Sequence, residues 1–219
     1  MQAPSRVRPV RSRVADPSKE AAPRGRPRSE SCHAKILEAT VQMMEESLYD
    51  GLTIEGVAER AGVSKQTIYK WWPTKSRLAM EACLSRSQRD IVDPDTGSAE
   101  DDLRELLIRT CRALGNGRWG FAVASVIGAA QANSEVAREF REGFIEKRRS
   151  VGARMLERGV ERGEVRANVD VPLTLDLMYG PIWYRLLLRN APLDAAFARG
   201  IANKLWPAIR AEEAPKRPS

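Results

Sequence analysis

Residues 53 to 78 read TIEGVAERAGVSKQTIYKWWPTKSRL, and their spacing predicts two short helices joined by a tight turn. Apolar residues at helical spacing fall on one face of each predicted helix. Gly62 lies between the helices, where a helix end commonly needs positive φ. Ser64 is placed to cap the first amides of the second helix, and Pro73 ends that helix one turn later. We refer to this stretch as the helix-turn-helix unit.

The second helix of this unit carries polar, aromatic and cationic side chains on the face opposite its apolar residues. Amides and hydroxyls can hydrogen-bond base edges in a DNA major groove, and cations can bind phosphates. The sequence therefore predicts that this face contacts double-stranded DNA. The residues on it are Lys65, Gln66, Thr67, Tyr69, Lys70 and Trp71.

An ordered set of residues in this region resembles the DNA-binding domain of the tetracycline-repressor (TetR) family of transcription regulators. The resemblance covers about fifty residues, from Ile36 to Cys83. Gly56, inside the first helix, and the bulky Trp71 depart from the expected pattern, which bears on base preference. The matching residues are Gly51, Thr53, Val57, Ala58, Ala61, Gly62, Val63, Ser64, Thr67, Ile68, Tyr69, Trp72, Lys75 and Leu78.

The expected contacts divide by chemistry. We expect Gln66 and Thr67, near the start of the second helix, to contact base edges. Thr53, Tyr69 and Lys75 are expected to hold phosphates, whereas Lys65, Lys70 and Trp71 suit either role. Phosphate contacts position a protein on DNA, and base contacts give it sequence preference.

The start of the chain is basic. Residues 1 to 28 hold eight basic side chains, two acidic ones and five prolines, so most of the net charge of +7 lies there. This composition predicts a disordered basic tail. Its last part, Arg24-Gly-Arg-Pro-Arg28, resembles the core of an AT-hook, which would place Arg26 and Arg28 in a narrow minor groove. A solvated basic linker is the alternative.

The composition is that of a soluble globular protein, with 42% hydrophobic and 30% charged residues in a chain of 219. The longest uncharged run, residues 119 to 134, is too short to cross a membrane. No secretory signal is expected, so the pattern predicts a cytoplasmic protein. The chain lacks a glycine-rich phosphate loop, a nucleophile motif and a histidine pair, so we expect neither an enzyme nor a cofactor.

Cysteine and histidine usage argues against disulfide and metal chemistry. Cys32, Cys83 and Cys111 are odd in number and widely spaced, which does not suit a disulfide framework. A small buried cysteine is the usual case, and a redox-sensing thiol is the alternative. His33, the sole histidine, adjoins Cys32, but neighbouring helical positions point in different directions. We therefore expect His33 on the surface and no metal site.

The pattern is helical throughout and predicts an all-α fold of about nine helices. Helix 1, from about residue 29 to 48, and helix 4, from about 74 to 89, flank the helix-turn-helix unit. A proline and turn residues at 93 to 97 predict a boundary between a DNA-binding domain at 29–90 and a helical ligand-binding and dimerisation domain at 98–211. Residues 212–219 are expected to be flexible. Helices 5 to 9 are predicted at about 98–114, 118–132, 134–162, 172–189 and 193–209.

The last two predicted helices favour a homodimer. Helix 8 is apolar nearly all round, and helix 9 has apolar residues at four-residue spacing, so both need cover on more than one side. A second copy of the same pair would supply it across a two-fold axis. Burial within one subunit is the alternative. The expected interface residues are Trp183, Leu187, Phe197, Ile201 and Leu205.

Gly180-Pro181 interrupts the hydrogen-bond ladder of helix 8 and predicts a local kink. Aromatic and methionine residues lie beside it or on neighbouring helices, so we expect an apolar ligand cavity there. Ordinary core packing of these residues is the alternative. The candidate lining residues are Trp119, Phe121, Met155, Met178, Tyr179 and Trp183.

Together these features predict a DNA-binding transcription regulator. The most specific form of the hypothesis is a dimeric repressor that binds an inverted-repeat operator and is released by a small apolar molecule. An activator or a ligand-independent regulator is the alternative within regulation. A nucleoid-type architectural protein could use the basic tail alone, but it would show little base preference.

Overall fold

The computed structural model of the protein describes residues 26–212, with side chains described from Glu30 onward. Within that range the protein is all-helical, with nine helices and no strand, as predicted. Helix α7 runs through three consecutive segments, the middle one a π-helical turn. The helices are α1 (Arg26–Ser47), α2 (Ile54–Ala61), α3 (Lys65–Tyr69), α4 (Lys75–Asp90), α5 (Ala99–Gly115), α6 (Trp119–Ala132), α7 (Ser134–Phe140, Arg141–Ile145 and Glu146–Glu161), α8 (Val171–Leu188) and α9 (Ala195–Ile209).

Helix α1 begins at Arg26, three residues before the expected start. The end of the AT-hook-like segment is therefore helical in its backbone, which corrects the expectation that the disordered tail extends to residue 28. Pro27 is compatible with this start because proline suits the first turn of a helix. The contacts expected of the Arg26 and Arg28 side chains lie outside the described residues.

The ends of α2 and α3 follow the capping pattern in the sequence. Thr53 Oγ1 accepts a hydrogen bond from the Gly56 amide at 3.1 Å, and Ser64 Oγ accepts one from Thr67 at 3.2 Å. Gly62 closes α2 with φ of 67°, a conformation that favours glycine. A Cβ on Gly56 would lie 2.6 Å from Met43 Cε, so α2 meets α1 closely at this glycine.

Two groups of side chains fill the core. The first four helices pack around fully buried residues such as Met44, Ile68 and Trp72, and the remaining helices around residues such as Leu107 and Met155. Burial raises the pKa of the Cys83 and Cys111 thiols to about 12, so both are protonated at neutral pH.

The two groups of helices also meet through α1 and α6, in addition to the chain connection through α4. The Tyr49 amide, just after α1, donates to Ser125 Oγ of α6 at 2.9 Å. Arg118, at the start of α6, donates to the carbonyls of Glu45 and Glu46 at the end of α1. A shift of α6 can therefore reach α1 without passing through α4.

Helix α8 runs from Val171 to Leu188 with Pro181 inside it, and the predicted local kink at Gly180-Pro181 stays a prediction. Pro172 lies in its first turn, as expected. Helix α7 approaches α8 closely at Gly152, where a Cβ would lie 2.7 Å from Leu175 Cδ2 and 2.8 Å from Met178 Cε. The two helices are therefore in close contact around Gly152.

Candidate nucleic-acid interface and cavity

Buried residues fix helix α3 on the body of the protein. Ile68 and Trp72 are buried, and Trp72 Nε1 donates a hydrogen bond to Glu81 Oε2 at 2.8 Å. Backbone hydrogen bonds from Trp71 and Trp72 to the Ile68 carbonyl continue the turn beyond Tyr69. The opposite face of α3 is thereby held in a defined direction.

The solvent-facing side of α3 brings together most of the predicted DNA contacts. Gln66, Tyr69 and Lys70 are exposed, and Thr67 is half-buried with its hydroxyl 3.0 Å from Ser64 Oγ. Lys65 Nζ lies 3.0 Å from Glu55 Oε1, and this hydrogen bond raises the pKa of Lys65. The face therefore offers an amide, hydroxyls and cations to a major groove.

Two predicted phosphate contacts already have partners within the protein. Thr53 caps α2, and its hydroxyl hydrogen stays available to an external acceptor. Lys75 Nζ donates to the Tyr49 carbonyl at 3.2 Å and lies 4.5 Å from the centre of the Tyr49 ring. An ammonium has three N–H donors, so a phosphate contact remains geometrically open to Lys75.

His33 is half-buried in an aromatic cluster, whereas the sequence predicted a surface position. Its ring centre lies 4.8 Å from that of Trp72 and 5.4 Å from that of Trp71. His33 Nε2 lies 2.9 Å from Glu81 Oε1. The imidazole of His33, on α1, therefore packs beside the two indoles that follow α3 along the chain. Trp71 is 36% exposed, so part of its surface stays available to DNA.

A cavity of about 50 Å³ lies between α4, α5, α6, α7 and α8. Three of the six predicted lining residues, Trp119, Tyr179 and Trp183, face it. Trp183 was also expected at the dimer interface, and the structure places it on the cavity wall. The full lining is Ser87, Ile91, Thr110, Ala113, Leu114, Trp119, Phe144, Ile145, Arg148, Arg149, Tyr179 and Trp183.

Three other predicted lining residues do not face this cavity. Phe121 is exposed, with the Arg189 guanidinium carbon 4.2 Å from the centre of its ring. Met155 and Met178 are buried core residues, and the Met178 side chain packs at Gly152 where α7 meets α8. Helical spacing does not indicate which of several inward directions meets the cavity, which explains Met155 and Met178, whereas Phe121 faces solvent.

The polar part of the cavity wall was not expected from the sequence. Arg148 is buried, and this burial lowers the pKa of its guanidinium. The Tyr179 and Ser87 hydroxyls are buried without a hydrogen-bond partner among residues 30–212, and burial raises the pKa of Tyr179 to about 12. Arg148 could have been found from its spacing, because it lies four residues after Phe144 and three before Val151 on the apolar stripe of α7.

The predicted dimer face is apolar and partly exposed. Leu187 of α8 is 44% exposed, and it belongs to a row of exposed apolar side chains on that helix. Phe197 and Ile201 of α9 are half-buried. Leu205, also expected at the interface, is buried within the subunit because α9 packs against α5. The exposed apolar side chains of α8 are Leu173, Leu177, Tyr184, Leu187 and Leu188.

The fold and the polar face of α3 define a helix-turn-helix DNA-binding protein with a second, helical region that contains a cavity. Comparison with known families makes the class specific. The family described as "Bacterial regulatory proteins, tetR family" matches residues 36–82, and "Tetracyclin repressor-like, C-terminal domain" matches residues 93–205. The chain belongs to the TetR family of bacterial transcriptional regulators, as the helix-turn-helix unit indicated.

Relatives and solved structures agree with this family. The chain is 37% identical over 191 residues to the uncharacterized HTH-type transcriptional regulator YdeS of Bacillus subtilis, covering 87% of this chain and 96% of that protein. It is 30% identical over 175 residues to the DNA-binding transcriptional repressor TetR of Mycobacteroides abscessus, covering 78% and 89%. The crystal structure of the TetR family transcription regulator SCO0332 is 32% identical, with a TM-score of 0.73 and coverage of 81% and 97%.

These relatives are transcription regulators, and their family is not enzymatic. None of the helices between residues 26 and 212 combines the length and apolar character needed to cross a membrane.

Proposed function

We propose that this regulator is a repressor that binds an inverted-repeat operator as a homodimer and leaves it when a small molecule enters the cavity. The observation that carries the proposal is the position of α4. This helix follows α3 directly along the chain, and Ser87 and Ile91, at and beyond its other end, line the cavity. A ligand in the cavity therefore touches the helix that supports the DNA-contacting face.

The proposed DNA contacts follow from the exposed face of α3. Gln66 and Thr67 read base edges, while neighbouring hydroxyls and cations hold phosphates. The remaining proposed contacts are Arg26, Arg28, Thr53, Lys65, Tyr69, Lys70, Trp71 and Lys75.

Dimerisation through α8 and α9 is supported by the exposed apolar row on α8. Leu177 and Pro181 of α8 also line a surface groove with Phe197, Ile201 and Leu205 of α9. Such a contiguous apolar surface commonly marks a protein contact. Two-fold pairing places two α3 helices on successive major grooves when they are about 34 to 36 Å apart, so the operator should be an inverted repeat.

The size of the cavity supports a conformational response. Ligand pockets commonly have volumes of roughly 300 to 1,000 Å³. The cavity volume of about 50 Å³ is much smaller, so a ligand must move the surrounding helices apart to bind. Binding that displaces α4 and α6 changes the support of α1 and α3, which alters the spacing of two α3 helices in a dimer. Such a ligand lowers operator affinity because it prefers the displaced conformation.

Selection of bound sequences from random duplex DNA tests the DNA-binding part of the proposal. The full chain should enrich a sequence with two-fold symmetry, and fluorescence anisotropy should show tighter binding to the whole repeat than to one half-site. Enrichment of A·T-rich DNA without a defined motif would instead indicate an architectural protein. A reporter gene placed behind the selected operator then separates repression from activation.

A further inference from the structure

The cavity contains buried polar groups that have one hydrogen-bond partner or none among residues 30–212. Arg148 and Tyr179 are each 9% exposed, and Ser87 is 3% exposed. All three line the cavity, although they come from three different helices, α7, α8 and α4. They therefore form one polar region in a wall that is otherwise mainly apolar.

The charge of Arg148 has no carboxylate partner among residues 30–212. Its one hydrogen bond there runs from Nη1 to the Ile91 carbonyl and is long, at 3.3 Å. A guanidinium has five N–H donors, and a buried cation without a counter-charge is costly. Asp93 contributes a favourable charge from nearby, but its carboxylate binds Arg154 at 3.1 Å and Arg158 at 3.0 Å.

Two hydroxyl groups that line the cavity with Arg148 also lack hydrogen-bond partners among residues 30–212. Tyr179 Oη and Ser87 Oγ are buried without a hydrogen-bond partner in the described part of the chain. Buried polar groups in folded proteins are nearly always paired, so each such exception requires an explanation. The third hydroxyl on the wall, that of Thr110, does have a partner, the Leu106 carbonyl at 2.7 Å.

The second positive side chain at the cavity differs from Arg148. Arg149 lies 2.5 Å from Asp176 and is partly exposed, so its charge is matched. The cavity thus combines one unmatched buried cation, two free hydroxyls and the rings of Trp119, Phe144 and Trp183. A carboxylate suits the polar groups because a guanidinium can donate two parallel hydrogen bonds to it, and its remaining lone pairs accept from hydroxyls.

We infer that the effector is an organic acid whose carboxylate binds Arg148, Tyr179 and Ser87, while its aromatic or acyl body lies against Trp119, Phe144 and Trp183. This inference rests on the proposed ligand-released repressor and changes the expected ligand from an apolar to an amphipathic one. Because Ser87 belongs to α4, the carboxylate contacts the helix that leads to the DNA-contacting face.

The first experiment compares acids with uncharged analogues of the same shape. Benzoate, phenylacetate, octanoate and dodecanoate are titrated into the full chain by calorimetry, each beside its primary amide. At least one acid should bind about tenfold or more tightly than its amide, because hydrogen bonds to a charged group are the stronger ones. Equal affinities for acids and amides, or binding of neither class, would overturn the inference.

Arg148→Met provides the matched variant, since methionine keeps an unbranched apolar stem without the charge. The variant should bind the acid no better than the amide, and the melting temperature of the ligand-free protein should stay the same or rise. Arg148 also donates to the carbonyl at the end of α4, so a purely structural role is the competing explanation. A lower melting temperature together with an equal loss of acid and amide binding would establish that role and overturn the inference.

Tyr179→Phe tests the second polar group with a smaller change. It should weaken acid binding severalfold and leave amide binding and the melting temperature nearly unchanged. Unchanged acid affinity in this variant would remove Tyr179 from the site and contradict the inference as stated.

Operator release separates the inference from the function on which it rests. Release of selected operator DNA by an acid, but not by its amide, agrees with both. Release by amides as readily as by acids would overturn the inference and keep the ligand-released repressor. If the proposed function is wrong, the selection from random duplex DNA yields no operator.

Discussion

The hydroxyl groups of the helix-turn-helix unit and those of the cavity differ in their hydrogen bonding. In the unit, the hydroxyls of Thr53 and Ser64 each accept a hydrogen bond from a backbone amide at the start of a helix. In the cavity, the hydroxyls of Ser87 and Tyr179 have no hydrogen-bond partner among the residues that the structure describes. The first arrangement makes a surface that has its shape before DNA arrives. The second arrangement leaves two hydroxyl groups that can form hydrogen bonds with a bound ligand.

The two regions also differ in the range of their interactions. The caps join residues three positions apart, so the local sequence determines them. The cavity gathers residues 87, 148 and 179 from three helices, and packing alone brings them together. Satisfied local contacts favour a rigid surface, whereas unsatisfied buried groups favour a region that rearranges when a ligand supplies partners. This difference can be tested in both regions.

The largest expected effect is a loss of stability when the buried anchor of the helix-turn-helix unit is removed. Trp72→Ala removes a buried indole and its hydrogen bond to Glu81, so it should lower the free energy of unfolding by about 3 to 5 kcal/mol. Urea unfolding followed by circular dichroism measures the loss. Trp71→Ala is the matched control because Trp71 is partly exposed, and it should cost about 1 kcal/mol or less. Similar losses for both variants would mean that Trp72 is not the anchor of α3.

A second change tests the apolar row on α8. Leu187→Asp should convert the dimer to a monomer, because pairing would bury an unpartnered carboxylate, while each protomer stays folded. Light scattering gives the mass, and circular dichroism checks the fold. Leu205→Asp should instead destabilise the protomer, since Leu205 is 7% exposed within its own subunit. A dimer that survives Leu187→Asp would place the interface elsewhere.

The third prediction concerns base recognition by the exposed face of α3. Gln66→Ala should cost about 1 to 3 kcal/mol on the selected operator and much less on unrelated DNA. Fluorescence anisotropy on the two duplexes measures the difference. An equal loss on both duplexes would assign Gln66 to the phosphates.

Substitution of Lys75, unlike that of Gln66, should weaken DNA binding without regard to sequence. Removing a phosphate contact should weaken binding to all sequences and lower the slope of log affinity against log salt by about one. Lys75→Gln is the better variant than Lys75→Ala, because an amide can still donate to the Tyr49 carbonyl. An unchanged salt slope would leave Lys75 with its internal role alone.

Local chemistry explains why the helix-turn-helix unit could be predicted so closely. The turn at Gly62, the cap at Ser64 and the buried face of Ile68 and Trp72 each depend on residues a few positions apart. The helix order and nearly all helix bounds followed from the same kind of pattern. The helical start at Arg26 was missed because charge and proline content dominated the interpretation of the tail.

The cavity could be predicted only in part, since it depends on tertiary packing. Tyr179 and Trp183 were predicted because they lie beside the Gly-Pro pair, and Trp119 because it is an aromatic residue on a neighbouring helix; all three line the cavity. Arg148 was missed because an arginine on a helix is usually taken as surface. Phe121, Met155 and Met178 were expected on the lining but do not face the cavity: Phe121 is exposed, and spacing does not distinguish among the neighbours of the two buried methionines.

The smallest expected effect is also the most direct comparison of the two regions, because it makes the same chemical change in each. Ser64→Ala removes a helix cap and should lower the free energy of unfolding by about 1 kcal/mol. Ser87→Ala removes a buried hydroxyl that has no partner, so it should leave the free energy of unfolding unchanged or raise it slightly. Urea titrations of both variants, in the absence of any ligand, measure the two changes under identical conditions. If Ser87→Ala destabilised the protein as much as Ser64→Ala, the Ser87 hydroxyl would have a structural partner. The hydroxyl groups of the cavity would then be hydrogen-bonded like those of the helix-turn-helix unit.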